Sequence, residues 1–125
     1  MTKPASSVDV AVKFTEAWSS RDMDTAAQYV AHDVVFESPL VQLTGAEPYL
    51  EAVGQFAQAV TGLSIIAVVG EDERVMVMYD MNTGPFGTLR AVEYLVIQDN
   101  KIKSDTLVFD THEVRKFQAA QASGG

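Results

Sequence analysis

Four strand-like segments follow one another in the second half of the chain, and the connections between them are too short for anything but hairpins. LSIIAVV (63–69), RVMVMYDMN (74–82), GTLRAVEYLVI (87–97) and KIKSDTLVFD (101–110) are joined by turns at GEDE, NTGPFG and QDN. Parallel neighbours need a crossover of a dozen or more residues, so these strands run antiparallel. Side chains on each strand alternate between two faces, which makes the residues that share a face predictable.

The preceding residues read mainly as helices. Ser6 or Ser7 caps a first helix with Asp9 in its opening turn, running to about Ser19. Its inward stripe is Val8, Ala11, Phe14 or Thr15, and Trp18. A short second helix starts at Asp22 and passes through MDTAAQYV, and VVFESP (34–39) alternates like a strand until Pro39 stops it. Thr44 and Glu47 have the spacing of a capping box for a third helix reaching about Val60. The order is helix, helix, strand, helix, then four antiparallel strands. The expected fold is α+β, with three helices packed on one face of a bent sheet. The whole chain, 1–125, reads as one domain with a core at about 8–117, and MTKPA and QAAQASGG are expected as frayed tails.

Composition removes several classes of function. With 9 Lys+Arg against 17 Asp+Glu the net charge is −8, which repels phosphate backbones, so nucleic acid is not an expected partner. No Gly-rich phosphate cradle occurs. The absence of cysteine excludes thiolate metal sites and thiol nucleophiles. No apolar run approaches the roughly 20 residues of a membrane span, and no leader pattern is visible, so a cytoplasmic protein without a membrane partner is expected.

Carboxylates occur inside the strand pattern. Taken by alternation, Asp80 shares a face with Met76, Met78 and Asn82, Glu93 with Leu89, Ala91, Leu95 and Ile97, and Asp105 with Leu107 and Phe109. A carboxylate in an apolar row is costly unless it is protonated, paired or turned to a wet cavity. Three on one sheet predict a pocket where Glu93, Asp80 and Asp105 act as acids and bases. The competing reading turns each to solvent at a rim, edge or bulge. His32 and His112 read as surface or cap residues, and no metal set is expected from carboxylates alone. Phe14, Trp18, Phe36, Tyr49, Phe56, Met76, Met78, Leu107 and Phe109 have core spacing and are the candidate pocket wall. Ser38 and Asn82 are added as ligand hydrogen-bonding groups. Arg90 falls on the face opposite Glu93.

The element order, together with KFTEAWSSRD, AHDVVFESP and the ending NKIKSDTLVFD, resembles the nuclear transport factor two-like (SnoaL-like, ketosteroid isomerase-like) cone superfamily. The resemblance implies a cone-shaped α+β barrel and the activities of ketosteroid isomerases, limonene-epoxide hydrolases or polyketide cyclases. It also shows departures. The isomerases' helix-one tyrosine matches Phe14, their base aspartate in Glu-Asp-Pro matches Ser38 of Glu37-Ser38-Pro39, and their protonated wall acid matches Glu93. The hydrolases' Arg-x-Asp pair reads Arg74-Val75-Met76, and the final-strand aspartate of hydrolases and cyclases matches Leu107.

Two functions are therefore expected to compete. One is a cofactor-independent isomerase, cyclase or hydrolase using pocket carboxylates for proton transfer on a small hydrophobic molecule. The other is a binding or scaffold module that keeps the pocket without the family's catalytic groups. A homodimer is expected through the outer sheet face, with Val75, Val77, Tyr79, Val92, Tyr94, Val96, Thr106 and Val108 as its apolar surface.

Overall fold

A computed structural model describes residues 6–123. Helix α1 (Ser7–Ser19) begins where Ser6 accepts a hydrogen bond from the Asp9 amide at 3.1 Å. It buries Val10, Ala11, Phe14, Thr15, Ala17 and Trp18, the stripe that a 3.6-residue period brings to one side. After Arg21, in the left-handed region at φ 67, comes α2 (Met23–Ala27), capped by Asp22. Arg21 ties this corner down by donating to the carbonyls of Ala57, Gln58 and Val60.

Strand β1 (Val30–Glu37) starts four residues earlier than the alternation suggests and pairs with a three-residue β2 (Gln42–Thr44) that the sequence pattern does not reveal. Helix α3 (Ala46–Ala57) follows at once. Its N-cap is Gly45 at φ 100, with no side-chain cap. The expected capping box therefore does not form, because Thr44 is held in the strand opposite Val35 and the Gly45 amide donates to Val34.

Strands β3 (Val60–Glu71), β4 (Arg74–Thr83), β5 (Thr88–Gln98) and β6 (Lys101–Phe109) form the expected antiparallel meander. The six-stranded sheet has the order β2-β1-β6-β5-β4-β3, and only β1–β6 is parallel. Register shifts in β1, β3 and at Val96–Ile97 bend it, as bulges do. Helices α1 and α3 fill the concave side. At the rim Gly70 is required: a Cβ there would stand 2.6 Å from Val8 Cγ2 of α1.

A fourth helix, α4 (His112–Ser123), occupies most of the stretch expected to be a tail. Val114 is buried and Phe117 meets Phe86 edge-on at 5.4 Å, which anchors a segment whose composition is otherwise polar. MTKPA and the last two glycines lie outside the described residues. Among the described residues no helix is long and apolar enough to cross a membrane.

The faces of β4 are reversed from the expectation. Val75, Val77, Tyr79 and Met81 are buried, while Met76 and Asn82 are exposed and Met78 and Asp80 half-exposed. Val75, Val77 and Tyr79 thus belong to the core rather than to an outer surface. Register decides this. Tyr79 pairs with Ala91 and Val77 with Glu93, so they share the inner face of β5. Val92, Tyr94, Val96, Thr106 and Val108 do lie outside, joined there by Ile66, Val69 and Met76.

Candidate functional site

Between the helices and the concave sheet lies a cavity of about 270 Å³. Helix α1 contributes Phe14 and Trp18, one turn apart on the same face. Tyr49, Ala52, Val53 and Phe56 come from α3 at the matching helical spacing, and Phe36 from β1. The sheet supplies Tyr79, Met81, Glu93, Asp105, Leu107 and Phe109, while Leu40, Val41, Phe86, Val114 and Gln118 line the side toward α4. The walls brace one another: Tyr49 lies 6.2 Å from Phe14 and 5.1 Å from Phe36, and Trp18 packs edge-on to Tyr79 at 6.0 Å.

Polar chemistry is concentrated at one place. Glu93 is 6% exposed and Asp105 2% exposed, in a wall otherwise made of aromatic and aliphatic groups. The Tyr79 hydroxyl donates to Glu93 Oε1. The Tyr49 hydroxyl donates to Asp105 Oδ2 at 2.5 Å. Asp105 Oδ1 is buried and receives no donor.

The electrostatics explain that orphan oxygen. Burial, then the charge of Glu93 and a hydrogen bond with it, push the Asp105 carboxyl well above the usual carboxylate range, and the Tyr49 bond only partly opposes this. Asp105 is thereby biased toward its neutral form. Burial above all, reinforced by the neighbouring acids, holds the Tyr49 and Tyr79 hydroxyls well above their ordinary value, so both remain donors. The result is a relay, Tyr49 to Asp105 to Glu93, with Tyr79 donating from the other side.

The structure brings together Glu93, Asp105, Phe14, Trp18, Phe36, Ser38, Tyr49, Phe56, Leu107 and Phe109 around the cavity. Asp80, Met76, Met78 and Asn82 are not there. Asp80 sits on the outer face opposite Arg90, which grips it at 2.7 and 2.9 Å and holds its carboxyl below the usual range. Asn82 Oδ1 accepts from Thr88 at 3.0 Å. Ser38 reaches the cavity wall, but its hydroxyl accepts from the Leu40 and Val41 amides and donates to the Val41 carbonyl, closing a local turn. His32 and His112 are exposed. Among the described residues no three His, Cys, Asp or Glu side chains gather as a metal set.

Tyr79, the partner of Glu93, escapes a reading by alternation because both faces of β4 are apolar. The signal that finds it is the hairpin: centring the turn near Pro85 sets Arg90 opposite Asp80 and sends both outward. Nothing comparable points to Val114 or Gln118.

A family model described as a SnoaL-like domain matches residues 11–104. Among solved structures, a protein from Kribbella flavida DSM 17836 is 26% identical, with 97% of this chain and 99% of that one covered and a TM-score of 0.88. An NTF2-like protein of unknown function from Cytophaga hutchinsonii ATCC 33406 is 18% identical, covering 92% and 99%, with a TM-score of 0.78. An LEH-like epoxide hydrolase from M. tuberculosis is 15% identical, covering 95% and 96%, at 0.73. At these identities the last two show the fold alone, the NTF2-like cone expected from the sequence. No curated protein matches the chain significantly.

Proposed function

This chain belongs to the SnoaL-like domain family, and from that premise we propose that it transfers protons on a small, largely apolar carbonyl compound without a cofactor. The observation that carries the reading is the Glu93–Asp105 pair. Two acids lie in one aromatic cavity, where electrostatic effects are stronger than in water, and burial beside Glu93 raises the Asp105 carboxyl well above its ordinary range.

Glu93 takes a proton from the carbon beside the carbonyl, and Asp105 gives its proton to the developing oxyanion. The product of this step is a neutral enol, and the charge of the pair has moved from Glu93 to Asp105. Return of a proton from Glu93 to a different carbon, with recovery of the enol proton by Asp105, completes an isomerisation and restores the pair. Tyr79 and Tyr49 hold the two carboxyl groups in place. At about 270 Å³ the cavity lies just below the usual range of ligand pockets, about 300–1,000 Å³. This favours one- or two-ring ligands over four-ring ones.

A second reading, ligand binding without turnover, draws support from the engaged hydroxyl of Ser38 at the position matching a catalytic base. Deuterium exchange distinguishes the two. Incubating a panel of monocyclic and bicyclic ketones with the protein in D2O should label carbons beside the carbonyl faster than buffer does, and Glu93→Gln should stop it. Ligands that bind but never exchange would leave only the binding module.

A further inference from the structure

The cavity described above has a charge asymmetry that proton transfer on a neutral ketone does not use. Among the described residues it is lined by an acid pair and aromatic faces, and by no Lys, Arg or His. Each charged or titratable group facing the pair comes from a known element, Tyr49 from α3 and Tyr79 from β4, while α1 and β1 offer only apolar rings. One oxygen, Asp105 Oδ1, is buried with no protein donor among the described residues, and it becomes a free acceptor once the Asp105 proton leaves. A ligand that supplies N–H donors and positive charge satisfies both features at once.

We propose that the cavity binds small arylalkyl ammonium ions, whose N–H groups bridge the carboxyl groups of Glu93 and Asp105 while the ring packs against the aromatic walls. The inference rests on the cavity as a ligand site but not on turnover. An ammonium group near the faces of Trp18 and Phe14 gains from their ring quadrupoles, and more so when desolvated. The stoichiometry balances: the protonated pair carries one negative charge, the ammonium displaces the shared proton to solvent, and two carboxylates plus one cation again carry one negative charge. Exchanging the proton for the ammonium leaves the net charge of the site unchanged, and N–H contacts to both carboxylates offset the desolvation of the buried charges. At roughly 30 Å³ per water the cavity has the room of about nine waters, matching a ligand of about ten heavy atoms. The net charge of −8 draws cations toward the protein and repels anions.

Calorimetric titration with 3-phenylpropylammonium, 3-phenylpropanol and 3-phenylpropanoate at pH 7 tests the proposal. The ammonium ion should bind about tenfold or more tighter than the alcohol, and the carboxylate should give no detectable binding. Titrations in two buffers of different ionisation enthalpy should show a proton released per ammonium bound. Asp105→Asn should abolish the proton release and bring ammonium and alcohol to within about threefold of each other. Glu93→Gln provides the same readout if the first variant proves unfolded by circular dichroism. Equal affinity of wild type for ammonium and alcohol overturns the proposal, as does tighter ammonium binding with no proton released. Binding or deuterium labelling of ketones without ammonium binding overturns this inference alone, whereas binding of none of the probes and none of the ketones sinks the cavity reading with it.

Discussion

Replacing Asp105 by asparagine removes the stored proton and keeps the shape. The amide can donate to Glu93 and its carbonyl can accept from Tyr49, so the relay remains connected. In wild type the folded chain holds a proton on Asp105, while the unfolded chain releases it above about pH 3.9. The folded state then binds more protons, and stability falls as pH rises. Below the unfolded value the stabilisation is complete. Above it, the loss amounts to about 1.4 kcal/mol per pH unit until pH passes the raised folded value. Asparagine has no proton to lose. Between the unfolded and the folded values the unfolding free energy of Asp105→Asn relative to wild type should therefore rise by about 1.4 kcal/mol per pH unit, or about 5 °C in Tm for a chain of this size. Urea unfolding at half-unit pH steps, with equal m values, measures it. A difference between variant and wild type that stays flat across this window would refute the stored proton, because Asp105 would then titrate alike folded and unfolded.

Two further outcomes follow from the two faces of the sheet. Tyr79→Phe strips one buried donor from Glu93 and should cost about 1.5–3 kcal/mol in urea unfolding, whereas Asp80→Asn on the outer face should leave cavity ligand affinity unchanged; a reversal of that order would mean the faces are wrongly assigned. The outer apolar residues Ile66, Val69, Met76 and Val108, with Val69 64% and Val108 60% exposed, should form a homodimer interface. Sedimentation at micromolar concentration should give twice the chain mass, reduced to the chain mass by Val108→Lys, and a wild-type monomer would exclude this interface.

The meander was legible because hairpin-length turns leave few ways to connect four strands, and the cone because the element order and segments such as NKIKSDTLVFD resemble the superfamily. Glu93 was legible because it interrupts a row whose other members are apolar, so alternation alone turns it inward. Asp105 had only Leu107 and Phe109 to point inward against Lys101 and Lys103 on the same row, and a register shift in the β5–β6 pairing buries it together with Ile102. β4 offers no such contrast. Val75 and Val77 compete with Met76 and Met78 on equal terms, so composition cannot choose the buried face, and Asp80 was drawn inward with the methionines. The choice is made by pairing, since Asp80 faces Arg90 across the hairpin. β2 was too short to leave a pattern, and α4 is held by two side chains, Val114 and Phe117, in an otherwise polar segment. The bond between Tyr49 and Asp105 was not legible, because it joins α3 to β6, 56 residues apart.

That separation imposes an order in time. Tyr79 and Glu93 are 14 residues apart on one hairpin, whereas Tyr49 and Asp105 are 56 apart. Asp33 of β1 and Lys103 of β6 are separated by 70. Closing a loop of that length costs about 1.7 kcal/mol more entropy than closing one of ten residues. The hairpin half of the relay can thus form early, and the other half waits for β6 to slot between β5 and β1. On a ribosome adding about 5–20 residues per second, the Tyr49 segment would wait about 3–11 s for its partner strand to be made. Through that interval β1 has no strand joining it to the meander, so the nascent chain is most exposed to misassembly just before the strand carrying Asp105 emerges.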